Sequence, residues 1–183
     1  MKDVDVSKLE IITYPNTKLK MIAQPLDIIT GNTKALVEKM LEIMYENNGV
    51  GLAAPQLGVL QRIVVLDPQI DDINEPHILI NPTIISHTDE LTELKEGCLS
   101  LPGLYLDISR PNEIVVEYMD INGEIKKLEA ADFLAKIIQH EIDHLNGKLI
   151  IDHLSSLKKQ LKIKEYHKIL KENEEESKEK AMN

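Results

Sequence analysis

No segment constrains this chain more than Gln139-His140-Glu141-Ile142-Asp143-His144. A helix stacks His140 and His144 one turn apart and sets Glu141 beside them, which is how a protein holds a divalent metal next to a general base. At roughly 100° per residue, Phe133, Ile137, His140 and His144 share one sector, with Glu141 at its edge. Leu134, Ile138, Ile142 and Leu145 fill a second, apolar sector, and Gln139, Asp143 and Asn146 fall on the remaining polar side. The spacing predicts a helix from about Ala131 to Asn146, packed on a core behind and chemically equipped in front. Two histidines one turn apart also occur as polar residues on an exposed face. The carboxylate next to the first one favours metal-assisted hydrolysis instead.

Two helical histidines leave a metal incompletely held. The chain has one cysteine, Cys98, within Lys95-Glu96-Gly97-Cys98-Leu99-Ser100-Leu101-Pro102, a segment too rich in Gly and Pro for a regular helix. A lone cysteine is most often a small buried hydrophobe. Beside Gly97, which lets the backbone approach closely, and after a carboxylate, Cys98 is also suited to act as a thiolate ligand. One Cys and two His would leave a fourth position open, as catalytic sites do. The competing reading of a His-Glu-x-x-His helix is a metallopeptidase. In the metzincin pattern x-x-Gly-x-x-His follows the helix. Here Gly147 is in place but the ligand position is Ile150, and Asp152 comes too soon after the turn to serve as an acidic third ligand. By elimination Cys98 is the favoured third ligand, and Gly147 reads as the left-handed residue that ends the helix.

At 183 residues the chain can bury one sizeable core, and two ordinary domains would be a tight fit. With five Tyr, one Phe and no Trp, packing must rest on Ile, Leu and Val. The segment Met1–Ser7 has neither the apolar core of a secretory signal nor an Arg-rich transit bias. No apolar run is long enough to span a bilayer, and a single cysteine excludes an intramolecular disulfide, which suits the cytoplasm. The net charge of −10 argues against a protein that coats nucleic acid. The exception is Ser155 to Lys171, where Lys158, Lys159, Lys162, Lys164, Lys168 and Lys171 face a single Glu165. Such a run is usually a solvated helix face.

Leu36, Val37, Met40, Leu41 and Met44 recur at helical spacing, so an amphipathic helix is expected over Thr33–Asn48. Arg62–Asp67 and His77–Asn81 read as strands. Glu113–Met119 and Glu124–Leu128 read as a hairpin around an Asn122-Gly123 turn. His77, His87, His153 and His167 lack ligand spacing and are expected at the surface or at strand ends. Residues 1–171 read as one catalytic domain with a C-terminal helix, and 172–183 as a frayed charged tail.

Gly49-Val50-Gly51-Leu52-Ala53-Ala54-Pro55-Gln56 would alone be a tight loop of small residues. Together with Glu96-Gly97-Cys98-Leu99-Ser100 and Gln139–His144, it resembles the peptide deformylase family of bacterial type, whose motifs read Gly-x-Gly-x-Ala-Ala-x-Gln, Glu-Gly-Cys-x-Ser and Gln-His-Glu-x-Asp-His. The likeness runs from about Ile11 to Leu154. It implies an α+β fold with antiparallel or mixed sheets packed around a central metal-binding helix. It also implies removal of the formyl group from the N-terminal formyl-methionine of nascent polypeptides, with release of formate. By motif matching, Cys98, His140 and His144 would hold one divalent metal, ferrous iron in the cell with zinc, nickel or cobalt after purification. Glu141 would be the catalytic carboxylate, Gln56 and the Leu99 N–H would bind the oxyanion, and the backbone around Val50, Gly51 and Gly97 would hold the substrate. Phe133 and Ile137, on the ligand face, would line the methionine pocket. Arg110 would pair with Glu96 and brace the cysteine loop, while Tyr105 stands where some members carry an arginine that meets the peptide. The resemblance adds a sharper reading of the basic helix, a contact with ribosomal phosphates. A peptidase, or a ribosome-associated module without catalysis, would be separated from a deformylase by a test for formate release.

Overall fold

The computed structural model describes residues 4–69 and 75–182, so the first three residues of the Met1–Ser7 segment lie outside it. Helix α1 spans Gly31–Glu46, starting two residues before the expected Thr33. Thr30 is the reason: its hydroxyl accepts the Thr33 N–H, while the Thr33 hydroxyl accepts the Thr30 N–H, a reciprocal cap on the first turn. Strands β1 (Gly51–Ala53), β2 (Ile63–Leu66), β3 (His77–His87), β6 (Glu113–Met119) and β7 (Ile125–Ala131) form one sheet in the order β1-β2-β3-β6-β7. Strands β4 (Leu91–Gly97) and β5 (Tyr105–Pro111) form a separate two-stranded sheet. Every strand pairing among the described residues is antiparallel.

Helix α2 covers Asp132–Leu145, within a residue of the expected bounds. Gly147 ends its exit turn at φ +70°, and a Cβ there would lie 2.5 Å from the Lys20 carbonyl oxygen, so only glycine fits. The apolar sector of α2 packs as expected: Ile138, Ile142 and Leu145 meet Val64, Leu66, Leu79 and Val116 of the larger sheet. On its other face, Ile63, Val65 and Ile80 pack against Leu36, Val37, Met40 and Met44 of α1. Coverage on both sides explains why Ile63-Val64-Val65-Leu66 is apolar at every position instead of alternating.

The polar side of α2 carries structural contacts. Gln139 is buried and its amide donates to the carbonyls of Pro111 and Ala135. Asp143 pairs with Arg110. The β4–β5 hairpin contacts Gln139 and Asp143, whereas Asn146 stays exposed. Strand β3 continues past Asn81 because Asn81 adopts φ +53° and the register shifts between Ile80 and Thr83, which lets Pro82 sit at a bulge. The β6–β7 turn is organised by Asp120, whose carboxylate accepts the N–H groups of Asn122 and Glu124.

A third core joins Cys98, Leu101, Leu104, Leu106 and Ile108 to Leu149, Ile150, Ile151 and Tyr166. Tyr166 belongs to α3, which spans Ser156–Met182 and continues its helical backbone through the segment read as a frayed tail. The basic helix is therefore packed behind the cysteine loop and is not a free appendage.

Candidate active site

Three elements converge on one cleft of about 610 Å³. Val50, Gly51, Gln56, Glu96, Gly97, Cys98, Leu99, Phe133, Ile137, His140 and Glu141, all singled out in the sequence, line it. His144 lies deeper, only 1 % exposed, beneath its floor. Arg110 also stays behind the wall, as a bracing residue should.

Helix α2 delivers His140 and His144, and Cys98 follows directly after β4. The Cys98 Sγ lies 3.3 Å from His144 Nε2, which lies 3.2 Å from His140 Nε2. All three donor atoms fall within 4.8 Å of one another, the only such group among the described residues. Tetrahedral bonds of about 2.0–2.3 Å give edges of roughly 3.3–3.6 Å, so the spacing fits a divalent metal. The donor chemistry fits as well. The His140 Nδ1–H donates to Glu96 Oε2 at 2.9 Å, which leaves Nε2 as a lone-pair donor facing the cluster. Burial holds the His144 pKa well below its usual value, so that imidazole is neutral.

Glu96 is fixed from the other side by Arg110, with Nε to Oε1 at 2.6 Å and a second bond of 3.0 Å to Oε2. Both side chains are nearly inaccessible, so removing either would strand a buried charge. Arg110 Nη1 reaches Asp143 Oδ2 at 2.8 Å, and that oxygen also accepts from His153 Nε2 at 2.7 Å. His153 is exposed, as expected, and is also tied to the site through Asp143. Buried Lys136 donates to the carbonyls of Thr92 and Arg110, clamping α2 to both strands of the hairpin.

Glu141 is 4 % exposed and its Oε2 has no hydrogen-bond partner among the described residues. Burial pushes its carboxyl up to about 7, which suits a group that must take and return a proton near neutrality. Gly51 makes room for it: a Cβ on Gly51 would stand 2.5 Å from Glu141 Oε1 and 2.9 Å from Ile137 Cγ2. Gln56 Oε1 accepts the Ala53 N–H at 2.9 Å, so its amide NH₂ must face the cluster, 3.3 Å from Ser100 Oγ and 3.8 Å from Cys98 Sγ. The Val50 carbonyl already accepts the Asp67 N–H, so it is not what this stretch offers a bound chain.

At the cleft mouth the Tyr105 ring lies across Gly97, its cross-strand partner, with Lys95 Nζ 5.6 Å from the ring centroid. An aromatic face thus stands there. Phe133 is 42 % exposed at the same cleft, whereas Ile137 is buried in its wall. Ser100, Lys136, Asp143 and His153 carry site contacts that the sequence reading had not assigned. Ser100 and Asp143 stand inside the quoted motifs, so position could have flagged them, but nothing local marks Lys136 or His153.

A buried, unpaired carboxylate beside a three-donor cluster at the floor of a cleft is an arrangement for metal-assisted hydrolysis, and the chain is a metal-dependent hydrolase. Residues 8–160 match the polypeptide deformylase family, and the chain belongs to it. It is 45 % identical over 165 residues to a peptide deformylase of Pelagibacter ubique, covering 90 % of this chain and 96 % of that one. A peptide deformylase of Rickettsia akari is 42 % identical over 170 residues, 90 % and 97 % of the two chains. Among solved structures, peptide deformylase from Ehrlichia chaffeensis in complex with actinonin superposes with a TM-score of 0.81 at 39 % identity, over 87 % of this chain and 96 % of that one.

Proposed function

We propose that this chain hydrolyses the formyl group from the N-terminal formyl-methionine of nascent polypeptides, within one catalytic domain that includes the C-terminal helix. The observation that carries the reading is the buried Glu141 carboxylate set against Gly51 beside the Cys98–His140–His144 cluster. Cys98, His140 and His144 would hold a divalent metal, which would supply Lewis acidity and make a water nucleophilic at neutral pH. Glu141 takes the proton of the attacking water and later delivers it to the leaving amine. The Gln56 amide, oriented through Ala53, and the Leu99 N–H donate hydrogen bonds to the formyl oxygen as charge develops on it. Phe133 and Ile137 take the methionine side chain, and the backbone at Gly51 and Gly97 holds the peptide.

Formate release from formyl-Met-Ala and acetate release from acetyl-Met-Ala test the reading. A methyl in place of the formyl hydrogen must displace packed atoms, at roughly 1–3 kcal/mol, and its carbonyl is less electrophilic. Formyl should therefore be favoured in kcat/KM by more than about tenfold, since 1.36 kcal/mol already gives that factor. Comparable values would point to a general amidase or peptidase. The missing ligand at Ile150 already speaks against the latter.

Ferrous iron in the cytoplasm is the metal we favour, on the family resemblance. The donor set of one thiolate and two imidazoles accepts zinc, nickel and cobalt too. For the ribosome, the support is the exposed side of α3, where Lys158, Lys164 and Lys168 face solvent. Reversing these three to Glu should abolish salt-sensitive co-sedimentation while leaving deformylation intact. Deleting the whole helix would instead remove Tyr166 from the core behind Cys98.

A further inference from the structure

We propose that His153 is a positioning residue for the metal helix, closing an unbroken chain of contacts that ends on His140. The links run from His153 Nε2 to Asp143 Oδ2 at 2.7 Å, then to Arg110 Nη1 at 2.8 Å. Arg110 grips both oxygens of Glu96, and Glu96 Oε2 receives the His140 Nδ1–H. The chain has a mechanical logic. Asp143 is on α2, whereas Arg110 is on β5 and Glu96 on β4, so these bonds set the hairpin that carries Cys98 against the helix that carries both histidines.

His153 comes from a third place, the 3-10 turn Ile150–His153 beyond the exit of α2. Ile150 and Ile151 are buried and anchor that turn, which leaves the imidazole to reach back over Asp143. The site on Asp143 is asymmetric: Oδ2 receives both Arg110 and His153. Without His153, that carboxylate has one fixed donor and is free to rotate about its own axis. Arg110 then loses a defined partner on one side, and the Glu96 orientation that selects the His140 tautomer loosens.

The inference rests on His140 being a metal ligand, and His140→Ala tests that reading by itself, through loss of stoichiometric cobalt or zinc binding. For His153 the comparison is His153→Leu, which keeps bulk without a donor, against His153→Gln, whose amide can donate to Asp143. The readouts are the rate of cobalt release to a chelator and the absorption spectrum of the cobalt-loaded protein. Removing a direct partner of a liganding histidine costs roughly 10–100-fold in affinity. Three links further out, His153→Leu should speed release by a smaller factor, about fivefold, and alter the spectrum, with His153→Gln restoring both. In an Asp143→Asn background, His153→Leu should add nothing. Release within twofold of the parent for His153→Leu, failure of Gln to rescue, or a full effect in the Asp143→Asn background would each overturn the proposal.

Discussion

Gly51→Ala is the smallest change that should uncouple folding from catalysis in this protein. The added Cβ would lie 2.5 Å from Glu141 Oε1, 3.0 Å from Glu141 Cδ and 2.9 Å from Ile137 Cγ2. Ordinary contact begins at 3.4 Å, so the carboxylate must retreat by about 0.9 Å. Gly51 is not in the left-handed region, and alanine brings no backbone strain there. The folding penalty is then overpacking alone, about 1–3 kcal/mol. Catalysis suffers more, because a 1 Å misplacement of a reacting group lowers rate by about 10²-fold, equivalent to roughly 2.7 kcal/mol of barrier. None of these three nearest atoms is a metal donor, so metal content should hold at one per chain. The assay is formate release at fixed metal loading, paired with thermal unfolding and metal analysis. Gly31→Ala is the control: nothing lies within 4 Å of its Cβ, and in the first turn of α1 alanine should leave activity unchanged. Should Gly51→Ala keep kcat/KM within threefold of the parent with the metal bound, Glu141 does not need the position that Gly51 preserves, and its assignment as the proton carrier fails.

Glu141→Gln should keep fold and metal yet lower turnover by at least about 10²-fold, the size of a lost general base; activity within a few fold would count against that role. The iron-loaded protein should inactivate in aerated buffer faster than its nickel form, because Cys98 is a thiolate candidate at an open cleft; equal half-lives would refute this. Asp152 ties α3 to the body through Lys159 at 2.5 Å and through Lys20. Although burial raises its pKa, these lysines hold the carboxyl at about 2, below the ordinary 3.8. Its stabilising contribution is thus present above about pH 4 and lost as pH falls toward 2. Asp152→Asn should flatten that part of the melting-temperature profile, and an unchanged acid limb would show that Asp152 contributes nothing there.

What could be read in the sequence was what short-range periodicity encodes. The 3.6-residue pattern placed α1 and α2, and the small residues at Gly147 and Gly123 marked the ends of elements. The β4–β5 hairpin escaped notice even though Leu106, Ile108 and Arg110 alternate with exposed Asp107 and Ser109. The reason is physical: of the three inward positions of β5 one is a charge, Arg110, and the strand ends at Pro111, so the apolar alternation is too short to stand out. The partners of Gln139 and Asp143 were not legible for a related reason. A helical wheel assigns polar residues to solvent, but here the polar side of α2 faces the carbonyls of Pro111 and the guanidinium of Arg110. The donors Cys98, His140 and His144 were legible because ligand chemistry restricts residue types. His153 was not, because only the tertiary return of the chain after Gly147 brings it to Asp143.

The cysteine loop poses a structural difficulty that the rest of the fold resolves. A two-stranded hairpin is marginal alone, yet β4 must hold Cys98 to within a fraction of an ångström of two histidines on another element. Three independent ties fix it. Arg110 bridges Glu96 on the neighbouring strand to Asp143 on α2. The Lys136 ammonium, also on α2, is coordinated by the carbonyls of Thr92 and Arg110, one from each strand. From behind, Tyr166 of α3 fills the space under Leu101 and Leu104. Two of these ties are buried charges whose separation from their partners would cost several kcal/mol each. Shared hydrophobic burial would stabilise the hairpin equally well in many small displacements. Directional charge-assisted bonds do not, and that distinction explains why the hairpin is tied to α2 through Arg110, Glu96, Asp143 and Lys136 and not by Leu and Ile alone.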